Sequence, residues 1–164
     1  ALCQELGSRS ANTRPRCHGH AHDAAKGFDL VQCVLDELMD SEDMAFVLLG
    51  TGNAEYEDFM RSAEWRHKGR LCAYIGYDEA LSHRVYAGSD FLLMPSSFEP
   101  CGLSQMIAMR YGTLPIVRET GGLRDSVQPY NRFTGEAPAS RLPTSRLRAG
   151  GHDPPRARAL SRRS

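Results

Sequence analysis

The residues best placed to do chemistry lie in Pro95-Ser-Ser-Phe-Glu-Pro-Cys-Gly-Leu-Ser104, which sets Glu99 in a tight loop just before a helix predicted to begin near Gly102. A helix start presents free backbone N–H groups and the positive end of the peptide dipole, which suit a phosphate, and Gly102 lets the backbone come close to it. A second anion-friendly loop is Thr120-Gly121-Gly122, where two glycines precede Leu123 at the mouth of another helix. Two such loops after adjacent strands suggest a diphosphate ligand. Residue types alone leave an equal alternative, in which Glu99 is an exposed turn residue and the glycines merely serve turns. Gly50-Thr-Gly52 falls short of a full GxGxxG and reads as a plain strand-to-helix turn.

These loops need elements to hold them. Between Gly27 and Met39 the apolar residues Phe28, Val31, Val34, Leu35 and Leu38 recur at three and four, which predicts a helix with one buried stripe. Met44–Leu49 is a short continuous apolar run, the pattern of a buried parallel strand. Further along, a helix is predicted over 54–65, a strand over Leu71–Ile75, a helix over Asp78–Tyr86 and a strand over Phe91–Met94. A helix over Gly102–Tyr111 and a strand over Leu114–Val117 complete the order. Strands alternating with helices imply an α/β fold, a Rossmann-like doubly wound parallel sheet. Ligands of such sheets bind at the carboxyl ends of strands, so the loops after Leu49, Ile75, Met94 and Val117 are the ones to inspect.

Composition bounds the rest. The 164 residues suffice for one domain, and the formal net charge of zero conceals an acidic middle, with 10 Lys/Arg against 16 Asp/Glu between Lys26 and Phe133, and basic ends. Every Val, Ile, Met, Phe, Tyr and Trp lies in that middle, so only it can build a core. Residues 1–25 and 136–164 are expected to be disordered, since they offer too little apolar area to offset their ordering entropy. The abrupt loss of branched and aromatic residues at both ends is also what translation in a shifted reading frame would produce. Five cysteines without a CxxC pair point to reduced thiols and a cytoplasmic location, with no membrane span or export signal indicated.

Other features support only modest readings. Cys17-His-Gly-His-Ala-His22 has ligand types but no visible support to fix them, so no metal and no cofactor is expected. The arginines of the tail lack interleaved aromatics, so no specific nucleic-acid partner is expected. Cys101 is expected to pack rather than to act as a nucleophile, Trp65 to cover a helix face, and His83 is left without a role.

The stretch YIGYDEALSHRVYAGSDFLLMPSSFEPCGLSQMIAMRYGTLPIVRETGGLRDSV, residues 74–127, resembles the donor-binding region of bacterial glycogen synthases and plant starch synthases, glycosyltransferases of two Rossmann-like domains. Weaker similarity runs back to Lys26-Gly27 and forward to Gly135, so a nucleotide-sugar-binding domain is expected over 26–135. The resemblance implies retaining transfer of glucose from ADP-glucose to the non-reducing end of an α-1,4-glucan. Glu99 takes the role of the glutamate in the FEPCGL motif, which sits by the glucosyl group and is needed for transfer. The backbone of Gly102, Leu103 and Ser104 would hold the distal phosphate, Thr120, Gly121 and Gly122 would line the pocket, and Tyr77 would pack on the adenine. The family's lysine, which neutralises the diphosphate, falls on Lys26.

This sequence also departs from the family. Ala21 stands where the family has an arginine five residues before the lysine, and Ala25 where it has Gln. Loss of one cation from the diphosphate clamp is expected to cost about 2 kcal/mol or more. Ser97 replaces a common basic residue. Related transferases carry a second glutamate at the position of Ile107, where the nearest polar group is Gln105, as in bacterial glycogen synthases. The acceptor-binding domain, with its Lys-x-Gly-Gly-Leu motif, is not among these residues, so the glucan would be reached only through that domain and the chain alone is expected to be inactive. A noncatalytic nucleotide-sugar-binding module and a UDP-glucose-dependent transferase are the alternatives.

Overall fold

The computed structural model describes residues 26–129 together with two short strands, Arg16–Gly19 and Ser140–Leu142. Six strands form one sheet: β1 (Arg16–Gly19), β2 (Ala45–Gly50), β3 (Leu71–Ile75), β4 (Phe91–Met94), β5 (Leu114–Arg118) and β6 (Ser140–Leu142). Their order is β3-β2-β1-β4-β5-β6, and each pair is parallel. Among the described residues the helices are α1 (Phe28–Ser41), α2 (Ala54–Arg66), α3 (Glu79–Gly88), α4 (Ser104–Arg110) and α5 (Gly121–Ser126). The fold is therefore the doubly wound parallel α/β sheet that the alternation of patterns implies.

The two faces of the sheet carry separate cores because successive strand residues point in opposite directions. On one face α1 and α2 bring Phe28, Val31, Leu35, Met39, Met60 and Ala63 onto Phe46, Leu48 and Leu71. Phe28 anchors this face, with its ring centroid 4.8 Å from that of Tyr56 and 6.3 Å from that of Phe59. On the other face Leu81 and Val85 of α3 pack against Leu49, and Tyr86, Ala108 and Leu123 cover Leu92, Met94 and Val117. The α1–α2 contact is clasped at the surface: His67 Nε2 lies 2.6 Å from Asp36 Oδ1, and Arg66 donates to both oxygens of the same carboxylate. The α3 start is capped by the Asp78 carboxylate, which accepts from the Leu81 N–H at 2.8 Å.

Two expectations about the ends require correction. Arg16–Gly19 lies within the span expected to be disordered, yet it is the central strand, paired in register with β2 on one side and β4 on the other. Backbone hydrogen bonds to two neighbours, rather than branched side chains of its own, place it there. Ser140–Leu142, inside the basic tail, adds an edge strand to β5. The rest of 1–25 and 130–164 lies outside the described residues, including the ligand-type side chains of Cys17–His22, the replaced positions Ala21 and Ala25, and the remaining tail arginines.

Trp65 is a further correction. It is 81% exposed at the end of α2 and covers no helix face, because the buried stripe of that helix runs through Met60 and Ala63. Among the described residues no helix is long and apolar enough to cross a membrane.

Candidate functional site

The strand order turns at β1 and β4. From β1 the chain proceeds through α1 to β2 on one side, and from β4 through α4 to β5 on the other, with α1 and α4 on opposite faces. The connections from these neighbouring strands lead to helices on opposite faces, and ligands of this architecture bind in the crevice at the carboxyl end of the sheet where that happens. Lys26 stands on the first loop and Glu99 on the second. Lys26 Nζ donates to Glu99 Oε2 at 2.6 Å across the crevice, although the residues are 73 apart in sequence. The Glu99 side chain is 12% exposed and that of Lys26 40%, so the carboxylate is the more enclosed partner.

Close backbone approach makes this meeting possible. Gly27, the N-cap of α1 at φ +74°, has its Cα against the carbonyl of Pro95, where a Cβ would collide with main chain. That contact sets the start of α1 directly on the loop that carries Glu99. The same loop is held on its other side by α5. The Gly122 N–H donates to the Glu99 carbonyl at 2.9 Å, the Thr120 hydroxyl donates to the Ser97 carbonyl at 3.2 Å, and a Cβ at Gly122 would lie 2.6 Å from the Cys101 carbonyl oxygen. The second glycine-rich turn thus buttresses the Glu99 loop. At least one of its N–H groups is committed to protein rather than free for a phosphate.

The other residues singled out in the sequence fall as follows. Gly102 and Leu103 precede α4, which starts at Ser104, two residues later than expected, with Leu103 at its N-cap and 64% exposed. Tyr77 is 87% exposed beyond the end of β3, a free aromatic face near the same edge of the sheet. Cys101 is exposed rather than packed. His83 meets the Tyr111 hydroxyl at 2.9 Å, a contact between α3 and the end of α4. Among the described residues no group of three or more His, Cys, Asp or Glu is arranged to hold a metal ion.

Sequence reasoning missed the polar core beneath the loop. Gln105 is fully buried, and its side-chain amide donates to the Cys101 carbonyl at 3.2 Å and to the Ser126 hydroxyl at 2.9 Å. A glutamine inside the apolar stripe of a helix is the available signal, since a buried amide is retained only where it finds partners. Nearby, burial raises the Tyr86 hydroxyl above its usual range, partly offset by its hydrogen bond with Ser104.

The sequence profile described as "Glycosyl transferases group 1" matches residues 20–142. The chain is 58% identical over 114 residues to a glycogen synthase of Fusobacterium nucleatum, covering 70% of this chain and 24% of that protein. It is also 54% identical over 110 residues to the glycogen synthase of Bacillus subtilis, covering 67% of this chain and 23% of that protein. The chain therefore spans about a quarter of the length of the curated relatives it matches. Among solved structures, the catalytic domain of starch synthase IV from Arabidopsis thaliana, bound to ADP and acarbose, superposes with a TM-score of 0.76 at 36% identity, covering 88% of this chain and 31% of that one. A sucrose-phosphate synthase from Thermosynechococcus elongatus shares the fold at a TM-score of 0.64 and 20% identity, covering 87% of this chain and 35% of that one.

Proposed function

Because this chain belongs to the group 1 glycosyl transferases, we propose that it is the donor-binding part of a cytoplasmic glycogen or starch synthase. The reaction is transfer of glucose from ADP-glucose to the non-reducing end of an α-1,4-glucan, with retention at the anomeric carbon. The observation that carries this reading is the Lys26–Glu99 pair in the crevice between β1 and β4, within a stretch 58% identical to a glycogen synthase.

The geometry suggests how charge is handled. An enclosed carboxylate needs a counter-charge, and Lys26 supplies it. A diphosphate entering the crevice would share the lysine with Glu99. As the glucosyl–oxygen bond breaks, negative charge grows on the leaving ADP, and a cation already in place stabilises it without reorganisation. Glu99 is then free to hold and polarise the glucosyl group. Gly102, Leu103 and Ser104 would bind the distal phosphate through backbone, Thr120 and Gly121 would line the pocket, Gly122 would support the loop, and Tyr77 would stack on the adenine.

The test is calorimetric titration of the chain with ADP, ADP-glucose and UDP. Binding of ADP and ADP-glucose with weaker binding of UDP is the expected result. Tighter binding of UDP would move the assignment to a UDP-glucose-dependent transferase, and no binding of any of the three would remove the donor-site reading.

A further inference from the structure

The hydrogen bonds under the Glu99 loop form a closed circuit. The Glu99 carbonyl accepts from the Gly122 N–H at 2.9 Å, and the Gly122 carbonyl accepts from the Ser126 hydroxyl at 2.6 Å. The Ser126 oxygen in turn accepts from Gln105 Nε2 at 2.9 Å, and the second hydrogen of that amide goes to the Cys101 carbonyl at 3.2 Å, two residues after Glu99. Each group in the circuit uses its hydrogens consistently, since Ser126 donates once and accepts once and the Gln105 amide nitrogen donates twice.

We propose that Gln105 and Ser126 are positioning residues that lock the backbone of the Glu99 loop onto α5 and so fix the direction of the Glu99 carboxylate. The proposal rests on the donor-site reading of Glu99. Its sharpest support is the half of Gln105 that does nothing for stability: Oε1 is buried and has no hydrogen-bond partner among the described residues. A buried orphan acceptor is a cost, and a leucine of similar size would fill the position without it. The amide is worth that cost only if its nitrogen does something an apolar side chain cannot, and its two bonds go to the loop and to the helix that holds the loop. Salt bridges elsewhere on the molecule, such as Arg66–Asp36, are remote in sequence from this loop and offer it no such constraint.

The experiment compares the wild-type chain with Gln105→Leu, Ser126→Ala, Ser126→Thr and the double variant Gln105→Leu/Ser126→Ala. It reads melting temperature, hydrogen exchange at the Gly122 amide, and affinities for ADP and ADP-glucose. Gln105→Leu is expected to melt within about 2 °C of wild type, because the lost bonds are offset by removal of the orphan oxygen. Its Gly122 amide should exchange about tenfold faster. Its affinity for ADP-glucose should fall about fivefold, roughly the worth of one hydrogen bond, while that for ADP stays the same. Ser126→Ala should behave likewise, Ser126→Thr should keep wild-type values, and the double variant should be no worse than Gln105→Leu, as members of one circuit require. Unchanged Gly122 exchange in Gln105→Leu overturns the lock whatever the ligand data. Faster exchange with equal losses for ADP and ADP-glucose overturns the link to Glu99 direction. Failure of the wild-type chain to bind either nucleotide instead overturns the donor-site reading, and the exchange result still decides the lock.

Discussion

At the scale of single residues the site is a matter of where charge is enclosed. Glu99 is largely buried against one ammonium, so removing either partner leaves the other exposed to a different cost. Lys26→Ala should weaken ADP binding by about tenfold, the worth of one charge-assisted contact, when measured by calorimetry. Glu99→Ala should leave ADP affinity nearly intact. In a chimeric Fusobacterium nucleatum glycogen synthase that carries residues 26–129 of this chain, it should cut glucose incorporation about a thousandfold, or ~4 kcal/mol. Full incorporation by that chimera would remove the role of Glu99. Cys72 offers a cleaner chemical readout. Burial, then the neighbouring Glu64 carboxylate, push its thiol up to about 11, whereas Cys33 and Cys101 are exposed. Iodoacetamide at pH 8 should therefore label Cys33 and Cys101 well before Cys72, a sequence that peptide mass spectrometry will follow, because only the thiolate reacts.

At the scale of elements, helix pairs decide both stability and its dependence on pH. Burial raises the Asp36 pKa, but hydrogen bonds from His67 and Arg66, together with the Arg66 charge, outweigh it and hold the carboxyl below its ordinary value. A depressed carboxyl stabilises the fold above its unfolded pKa of 3.8 and loses that contribution as pH falls through the lower folded value. Asp36→Asn should therefore be less stable than wild type at pH 7 and approach it in acid. The gap should stay below ~1 kcal/mol in urea titrations, because the carboxylate is nearly half exposed and water screens it. This clasp was illegible in the sequence: Asp36 and His67 are 31 residues apart, and nothing in either local pattern pairs them. By contrast, the buried stripe of α1 and the apolar runs of β2 to β5 were legible, because their periods follow from the faces they bury. The Glu99 loop was legible as a strand-to-helix loop. Its dependence on Gln105 and Ser126 was not, since a polar circuit across two helices leaves no periodic trace.

At the scale of the whole molecule, β1 is what joins the two halves of the sheet. The two cores lie on opposite faces and each spans both halves: Phe91 and Leu93 of β4 join the core under α1 and α2, and Leu81 and Val85 of α3 pack on Leu49 of β2, while β1 is hydrogen-bonded to β2 on one side and β4 on the other. Lys26 follows β1 and Glu99 follows β4, so the pairing of these strands brings the two residues to the same end of the sheet. The four residues of β1 include no Val, Ile, Thr, Phe, Tyr or Trp, and that is why pattern reading placed no strand there. Its backbone is nevertheless the most consequential in the sheet. A proline at His18 deletes a ladder donor in a strand flanked on both sides, a position proline essentially never takes, whereas a proline at Arg141 alters a strand paired with β5 alone at the sheet edge. His18→Pro should therefore cost about 3 kcal/mol or more and abolish ADP binding, while Arg141→Pro should cost much less and leave binding in place. Denaturation followed alongside ADP titration separates the two. Equal effects would mean that β1 is dispensable to the sheet and that the meeting of Lys26 with Glu99 has some other cause.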